Sequence, residues 1–194
     1  MLALGCWTFG GAQWGGQDDS ESLRAMERAF ELGMTHFDTA SGYGGGHSER
    51  VVGEFIRDKR DSIFLASKQG ANAKKEKYAG SIRSSLERLG TDYVDLYYIH
   101  WPKSNIDLRP TMEALVEAQE EGLVGAIGVS NFSTEQMDQI SEVGRIDAHQ
   151  LCYNLLRRWD ENDIIPYCIV HDIAVVTYSS IAQGILTCKF PRHP

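Results

Sequence analysis

"HFDTASGYGGGHSER", residues 36–50, joins three things in fifteen positions. An apolar run ends in Asp38. Tyr43 follows five positions later, in a turn that holds Gly42, Gly44, Gly45 and Gly46. A Ser-Glu-Arg then opens a helix. An acid at the end of an apolar run reads as a strand delivering a polar group to one end of a sheet. The glycine-rich turn swings the tyrosine back over that acid, through backbone angles that bulkier residues resist.

The same strand-then-helix unit recurs along the chain. Candidate strands are "MTHFDTA" (34–40), "SIFLASK" (62–68), "YVDLYYIH" (93–100), "VGAIGVS" (124–130), "DAHQLCY" (147–153) and "IAVVTYS" (173–179). Helices with start and stop signals lie between them. Asp18 and Glu21 form a capping pair ahead of Leu23, Met26 and Phe30, with Gly33 as the stop. Ile82, Leu86 and Leu89 share a face that ends at Gly90, and Met112, Leu115 and Val116 repeat the pattern up to Gly122. Ser133 and Gln136 make a capping box before Met137 and Ile140. Pro166 shortens or kinks the last helix, around 160–171. Strands that are apolar almost throughout are expected where helices cover one face and a core fills the other, so the sequence predicts a parallel α/β protein. No linker or low-complexity segment divides it, and residues 1–194 read as a single domain.

A doubly wound open sheet and a (β/α)8 barrel both fit this order. In the open sheet a G-x-G-x-x-G should follow the first strand. "GYGGGH" offers Gly42 and Gly44 but has His47 at the third position, and no P-loop occurs. Polar residues instead collect at the C-terminal ends of successive strands: Asp38, Lys68, His100, Ser130 with Asn131, and Gln150. Barrel enzymes build their sites there, which favours the barrel.

Composition narrows the partners. A formal net charge of −8 with no long basic run argues against a nucleic-acid groove or an anionic membrane surface. No apolar stretch approaches the ~20 residues of a membrane span. "MLALGCW" has neither the basic segment nor the apolar length of a secretion signal. Four cysteines, at 6, 152, 168 and 188, show no metal-finger spacing, so reduced thiols in the cytoplasm are expected. The histidines share no H-x-H or H-E-x-x-H spacing, and no metal site is expected.

If the strand-end groups converge on one mouth, a tyrosine, a lysine, an aspartate and a histidine meet. A free tyrosine ionises near pH 10 and donates a proton sluggishly at neutrality. A nearby ammonium is expected to lower that pKa, and an aspartate paired with the ammonium fixes its place. A histidine can orient a carbonyl oxygen. The set suits protonating an oxygen while hydride reaches the carbon.

On these residues the chain resembles the aldo-keto reductase family. "LGCWTFGG", "FDTASGYGGGHSE", "SK", "DLYYIHWP", "AIGVSNFS", "HQLCYN" and "TYSSIAQGIL" follow one another in the family's order, over essentially the whole chain. The resemblance implies a catalytic tetrad of Asp38, Tyr43, Lys68 and His100, with Tyr43 as general acid. It implies an NADP(H) cofactor, NADPH being the family's usual choice, and a small-molecule aldehyde or ketone as substrate. Ser130, Asn131 and Gln150 would hold the nicotinamide amide and Tyr178 would stack on its ring. Trp7, Asp38, Ser179, Ile181, Gly184, Leu186 and Lys189 complete the implied cofactor contacts. Trp7, Tyr43 and Trp101 would line the substrate mouth.

Two other functions share this pattern: a non-catalytic NADP(H)-binding regulatory subunit of the same fold, as in potassium-channel β subunits, and a barrel lyase with Lys68 as Schiff-base amine. His100 speaks against the first, because such subunits often carry asparagine there. Six strands fall short of the eight of a closed barrel, which typically needs about 250 residues. The expectation is therefore an incomplete barrel of about six β-α units, with strands seven and eight beyond the chain's end, unpaired edges, and a longer polypeptide of which this is a portion.

Overall fold

The computed structural model describes residues 2–11 and 15–187. Strands and helices alternate along it: β1 (Ala3–Gly5), α1 (Asp19–Glu31), β2 (His36–Asp38), α2 (His47–Ile56), β3 (Phe64–Gln69), α3 (Lys75–Leu89), β4 (Val94–Ile99), α4 (Arg109–Glu120), β5 (Val124–Ser130), α5 (Thr134–Ser141), β6 (Ala148–Cys152), α6 (Ile164–Val170) and β7 (Ala174–Tyr178). All neighbouring strands pair in parallel, in sequence order from β1 to β7. Strands β2 and β6 stand four places apart, which in a flat sheet is roughly 19 Å. Yet Gln150 Nε2 of β6 donates to Asp38 Oδ2 of β2 at 2.9 Å. Only a sheet curled toward closure brings these two side chains together, so the architecture is an incomplete (β/α) barrel rather than an open doubly wound sheet.

Six strand–helix units are present among the described residues, β1-α1 through β6-α6, and a seventh strand follows them. The strand count is thus one higher than the sequence predicts. The missing strand is β1: three residues, Ala-Leu-Gly, with no β-branched member, too short for alternation to register. The segment 173–179 is therefore the seventh strand of the sheet, not the sixth, and the seventh strand expected beyond the chain's end lies within it. Strands β1 and β7 each pair on one side only among the described residues.

The punctuation follows the sequence closely. The Asp18 carboxylate accepts from Ser20 N at 2.7 Å and opens α1. Ser133 and Gln136 form a reciprocal capping box on α5. Gly90, in the left-handed region at φ 63°, closes α3. The segment with Pro166 is a seven-residue helix preceded by a 3-10 turn at Trp159–Glu161.

Alternation along the strands divides the core into two layers. Phe37, Leu65, Tyr97, Ile127, Val129 and Leu151 face outward and pack under the helices. Ala66, Leu96, Tyr98 and Ala148 face the barrel axis, with Ala126 against them. Two carboxylates lock strand register on the amino-terminal side. Asp95 Oδ2 accepts from Leu65 N at 2.8 Å and from Arg60 at 2.9 Å, and Asp147 Oδ2 accepts from Ile127 N at 2.9 Å.

Lys68, Tyr98 and Gly128 lie side by side across β3, β4 and β5. A Cβ at Gly128 would fall 2.4 Å from the Tyr98 ring, so the glycine is there to admit the tyrosine. Gly128→Ala should overpack this layer and lower stability by about 1–3 kcal/mol. Urea unfolding with an unchanged midpoint would contradict that packing.

Candidate active site

Strand β2 ends in Asp38, β3 carries Lys68 one residue before its end, and residue 100 follows directly on β4. All three strands run the same way, so these side chains share one rim. Lys68 is fully buried, and its ammonium donates to three oxygens: the Asp38 carboxylate, the Thr39 carbonyl at 2.8 Å and the Tyr43 hydroxyl at 3.4 Å. Burial alone would drive the lysine toward its neutral form. The Asp38 charge and the hydrogen bonds that the ammonium donates to Asp38 and Tyr43 outweigh that cost, and its pKa sits above the ordinary lysine value.

Tyr43 reaches this centre from the turn. Gly44, Gly45 and Gly46 all have positive φ, and a Cβ on Gly44 would lie 2.1 Å from the Gly10 carbonyl oxygen. The turn is thereby pressed against the loop after β1, where the Trp7 ring lies 6.2 Å from that of Tyr43. The phenol's pKa is raised, contrary to the lowering expected from the sequence. Burial pushes it up by more than Lys68 pulls it down, and Asp38 adds to the rise. The reason is desolvation, which outweighs the ammonium's pull on the phenolate. At neutral pH the group is a protonated phenol.

The His100 ring meets Tyr43 edge-on, at 5.6 Å between centroids and 80° between planes, and Trp101 lies 6.1 Å beyond it. Burial and then the Lys68 charge hold the histidine's pKa down to about 4, so the imidazole is neutral. Its backbone N–H donates to Gln69 O at 2.8 Å, which ties the end of β4 to β3.

A second polar group adjoins the first. Asn131, in the left-handed region at φ 62°, donates to Ser130 Oγ at 2.9 Å and to the His100 carbonyl at 3.3 Å. Its amide oxygen accepts from the Tyr178 hydroxyl at 2.8 Å. Gln150 completes the group through Asp38. The structure therefore brings together Asp38, Tyr43, Lys68, His100, Ser130, Asn131, Gln150 and Tyr178, with Trp7 and Trp101 half-exposed at the rim. Ser179, Ile181, Gly184 and Leu186 follow β7 in a tight turn, in which Leu186 N donates to Ile181 O and the Ser179 carbonyl accepts from Asn154. Lys189 lies outside the described residues. No cluster of metal-ligating side chains occurs among the described residues.

The aldo/keto reductase family model matches residues 1–193. The chain belongs to the aldo/keto reductase family. It is 38% identical to the aldo-keto reductase YhdN of Bacillus subtilis over 203 residues, covering 99% of this chain and 61% of that protein. It is 30% identical to the NADH-specific methylglyoxal reductase of Escherichia coli, covering 98% of this chain and 66% of that one. Among solved structures, the glycerol dehydrogenase AKR11B4 of Gluconobacter oxydans superposes with a TM-score of 0.92 at 34% identity, covering 99% of this chain and 63% of that one. An aldo-keto reductase of Klebsiella pneumoniae in complex with NADPH gives 0.87 at 32%, covering 98% and 68%. The chain thus spans roughly three-fifths to two-thirds of the length of these relatives.

Sequence reasoning missed three participants. Thr39 contributes a backbone carbonyl to Lys68, which no side-chain pattern signals. Tyr98 lies with its ring 5.9 Å from the ammonium; its alternation with outward-facing Tyr97 was the available sign. Glu49 is fully buried on α2, and its place three residues before Val52 on the apolar face marked it as something other than a surface acid.

His100 and His149 are both neutral when buried, each with a pKa of about 4 against about 6.5 unfolded. The unfolded chain takes up protons first, so stability is full above pH 6.5 and is lost as pH falls toward 4. Unfolding titrations should show a slope reaching about 1.4 kcal/mol per pH unit for each histidine. The His149→Asn variant should lose about 1.4 kcal/mol per pH unit from the steepest part of the total slope, and an unchanged slope in the variant would contradict the assignment.

Proposed function

We propose that this aldo/keto reductase reduces aldehydes or ketones to alcohols, with NADPH as hydride donor and Tyr43 as proton donor. The observation that carries the reading is the position of a protonated, half-buried phenol 3.4 Å from a buried ammonium. As the carbonyl oxygen gains negative charge it needs a proton at that point, and Lys68 stabilises the phenolate left behind. Asp38 holds the ammonium in place. Neutral His100, edge-on to Tyr43, offers a ring N–H to the same oxygen and sets which face of the carbonyl is presented.

The residues beside the tetrad fit a nicotinamide. A carboxamide needs donors and acceptors in one plane, and Ser130, Asn131 and Gln150 supply hydroxyl and amide groups from adjacent strand ends. Tyr178, with its hydroxyl held by Asn131, presents a half-buried flat ring. The bound cofactor supplies the hydride. Trp7 and Trp101 narrow the entrance and shed water from the reacting carbon. Small carbonyl compounds as substrates are supported by the relatives that reduce methylglyoxal and L-glyceraldehyde 3-phosphate.

The Schiff-base reading fares worse. A lysine with a raised pKa and three acceptors has no free lone pair for a carbonyl carbon.

Loss of reduced-nicotinamide absorbance, followed with a panel of short aldehydes and ketones under NADPH and NADH in turn, tests the activity. Turnover dependent on the carbonyl compound is expected; tight NADPH binding with no turnover would favour the regulatory-subunit reading. Tyr43→Phe should cut turnover by about a hundredfold or more and leave cofactor affinity nearly unchanged, because only the proton is removed. Near-native turnover in that variant would overturn the role given to Tyr43.

A further inference from the structure

On the outer face of the barrel wall, between β3 and the helices α2 and α3, lies a second buried charge. The Glu49 carboxylate is fully buried on α2, and each of its oxygens is engaged at 2.6 Å: Oε1 by the Ser67 hydroxyl and Oε2 by Arg88 Nε. Arg88 also donates to Ser85 Oγ at 3.2 Å, and Ser85 meets the Tyr97 hydroxyl at 3.0 Å. The cluster joins α2, β3, α3 and β4.

Two of its connections lead straight to the site. Ser67 precedes Lys68 on β3, so one residue faces Glu49 and the next carries the ammonium inward. Glu49 lies in the first turn of α2, and Gly46, the residue that caps that helix, ends the Tyr43 turn. Arg88 lies over Gly46 so closely that a Cβ there would fall 2.5 Å from its Cδ. Three successive glycines with positive φ cannot hold a tyrosine in place unaided. The neighbouring Ser48 shows the same design, donating to the Cys6 carbonyl at 2.7 Å and meeting Thr39 Oγ1 at 2.9 Å.

We propose that Glu49 is a positioning residue whose carboxylate, shared between Ser67 and Arg88, sets the spacing between the Tyr43 phenol and the Lys68 ammonium. This rests on the reductase reading of Tyr43 and Lys68. Its logic is that a fully buried carboxylate is costly unless both oxygens keep their partners, so α2 and β3 are held in one relative position. The charged and titratable groups facing Tyr43 are Lys68 on β3, Asp38 on β2, Cys6 after β1, His100 after β4 and Tyr178 on β7.

The test compares Glu49→Gln, Ser67→Ala and Ser67→Thr in the full chain, with Tyr43→Phe as control. Each is assayed for kcat across pH and for NADPH affinity by fluorescence. Glu49→Gln and Ser67→Ala should lower kcat about tenfold, leave NADPH affinity within about twofold, and move the alkaline limb of kcat to higher pH as the ammonium withdraws from the phenol. Ser67→Thr keeps the hydroxyl and should restore kcat. Unchanged kcat in Glu49→Gln and Ser67→Ala, or parallel loss of kcat and NADPH affinity, overturns the proposal. So does an alkaline limb that stays in place. If Glu49→Gln does not fold, Ser67→Ala decides. Full activity in Tyr43→Phe would instead sink the reductase reading itself.

Discussion

The buried pair of Lys68 and Asp38 is the constraint from which the rest of this structure follows. Bringing an ammonium and a carboxylate out of water costs several kcal/mol per ion, and their attraction repays that only when every remaining hydrogen-bonding position is filled. Here the filling groups come from distant parts of the chain: the Thr39 carbonyl beyond β2, the Tyr43 phenol from the glycine turn, and the Gln150 amide from β6. Satisfying one ion pair therefore obliges β2, β3 and β6 to end at one place. The curl of the sheet and the chemistry at its rim answer the same demand.

Burial sorts the titratable groups at that rim by role. The lysine stays charged because a carboxylate is in contact with it, whereas desolvation outweighs the ammonium at the tyrosine and acts together with it at the histidine, holding both neutral. A charged ammonium beside a neutral phenol and a neutral imidazole is an arrangement ready to give up a proton without first taking one. Below the rim, small and aromatic side chains fill the barrel axis, and Gly128 makes room for Tyr98 beneath the ammonium.

Much of this was legible in the sequence because strand ends announce themselves. Asp38, Lys68 and His100 each terminate an apolar run, and Tyr43 sits in a run of glycines. What was not legible has specific causes. Strand β1 is three residues of weak β propensity, so the strand count came out one short. The direction of the Tyr43 pKa depends on how much water the ring loses, which spacing along a chain does not encode. Glu49 shares the apolar face of its helix with Val52, but its partners Ser67 and Arg88 lie on other elements and carry no local signal. Backbone partners such as the Thr39 carbonyl carry no signature at all.

The most direct test of the account is the protonation state of Lys68, read from the Nζ nitrogen resonance of lysine-labelled protein and assigned by its loss in Lys68→Met. An ammonium that persists well past neutral pH, and whose signal shifts in Tyr43→Phe, is the predicted result. A neutral amine at pH 8, or an ammonium indifferent to Tyr43, would contradict it.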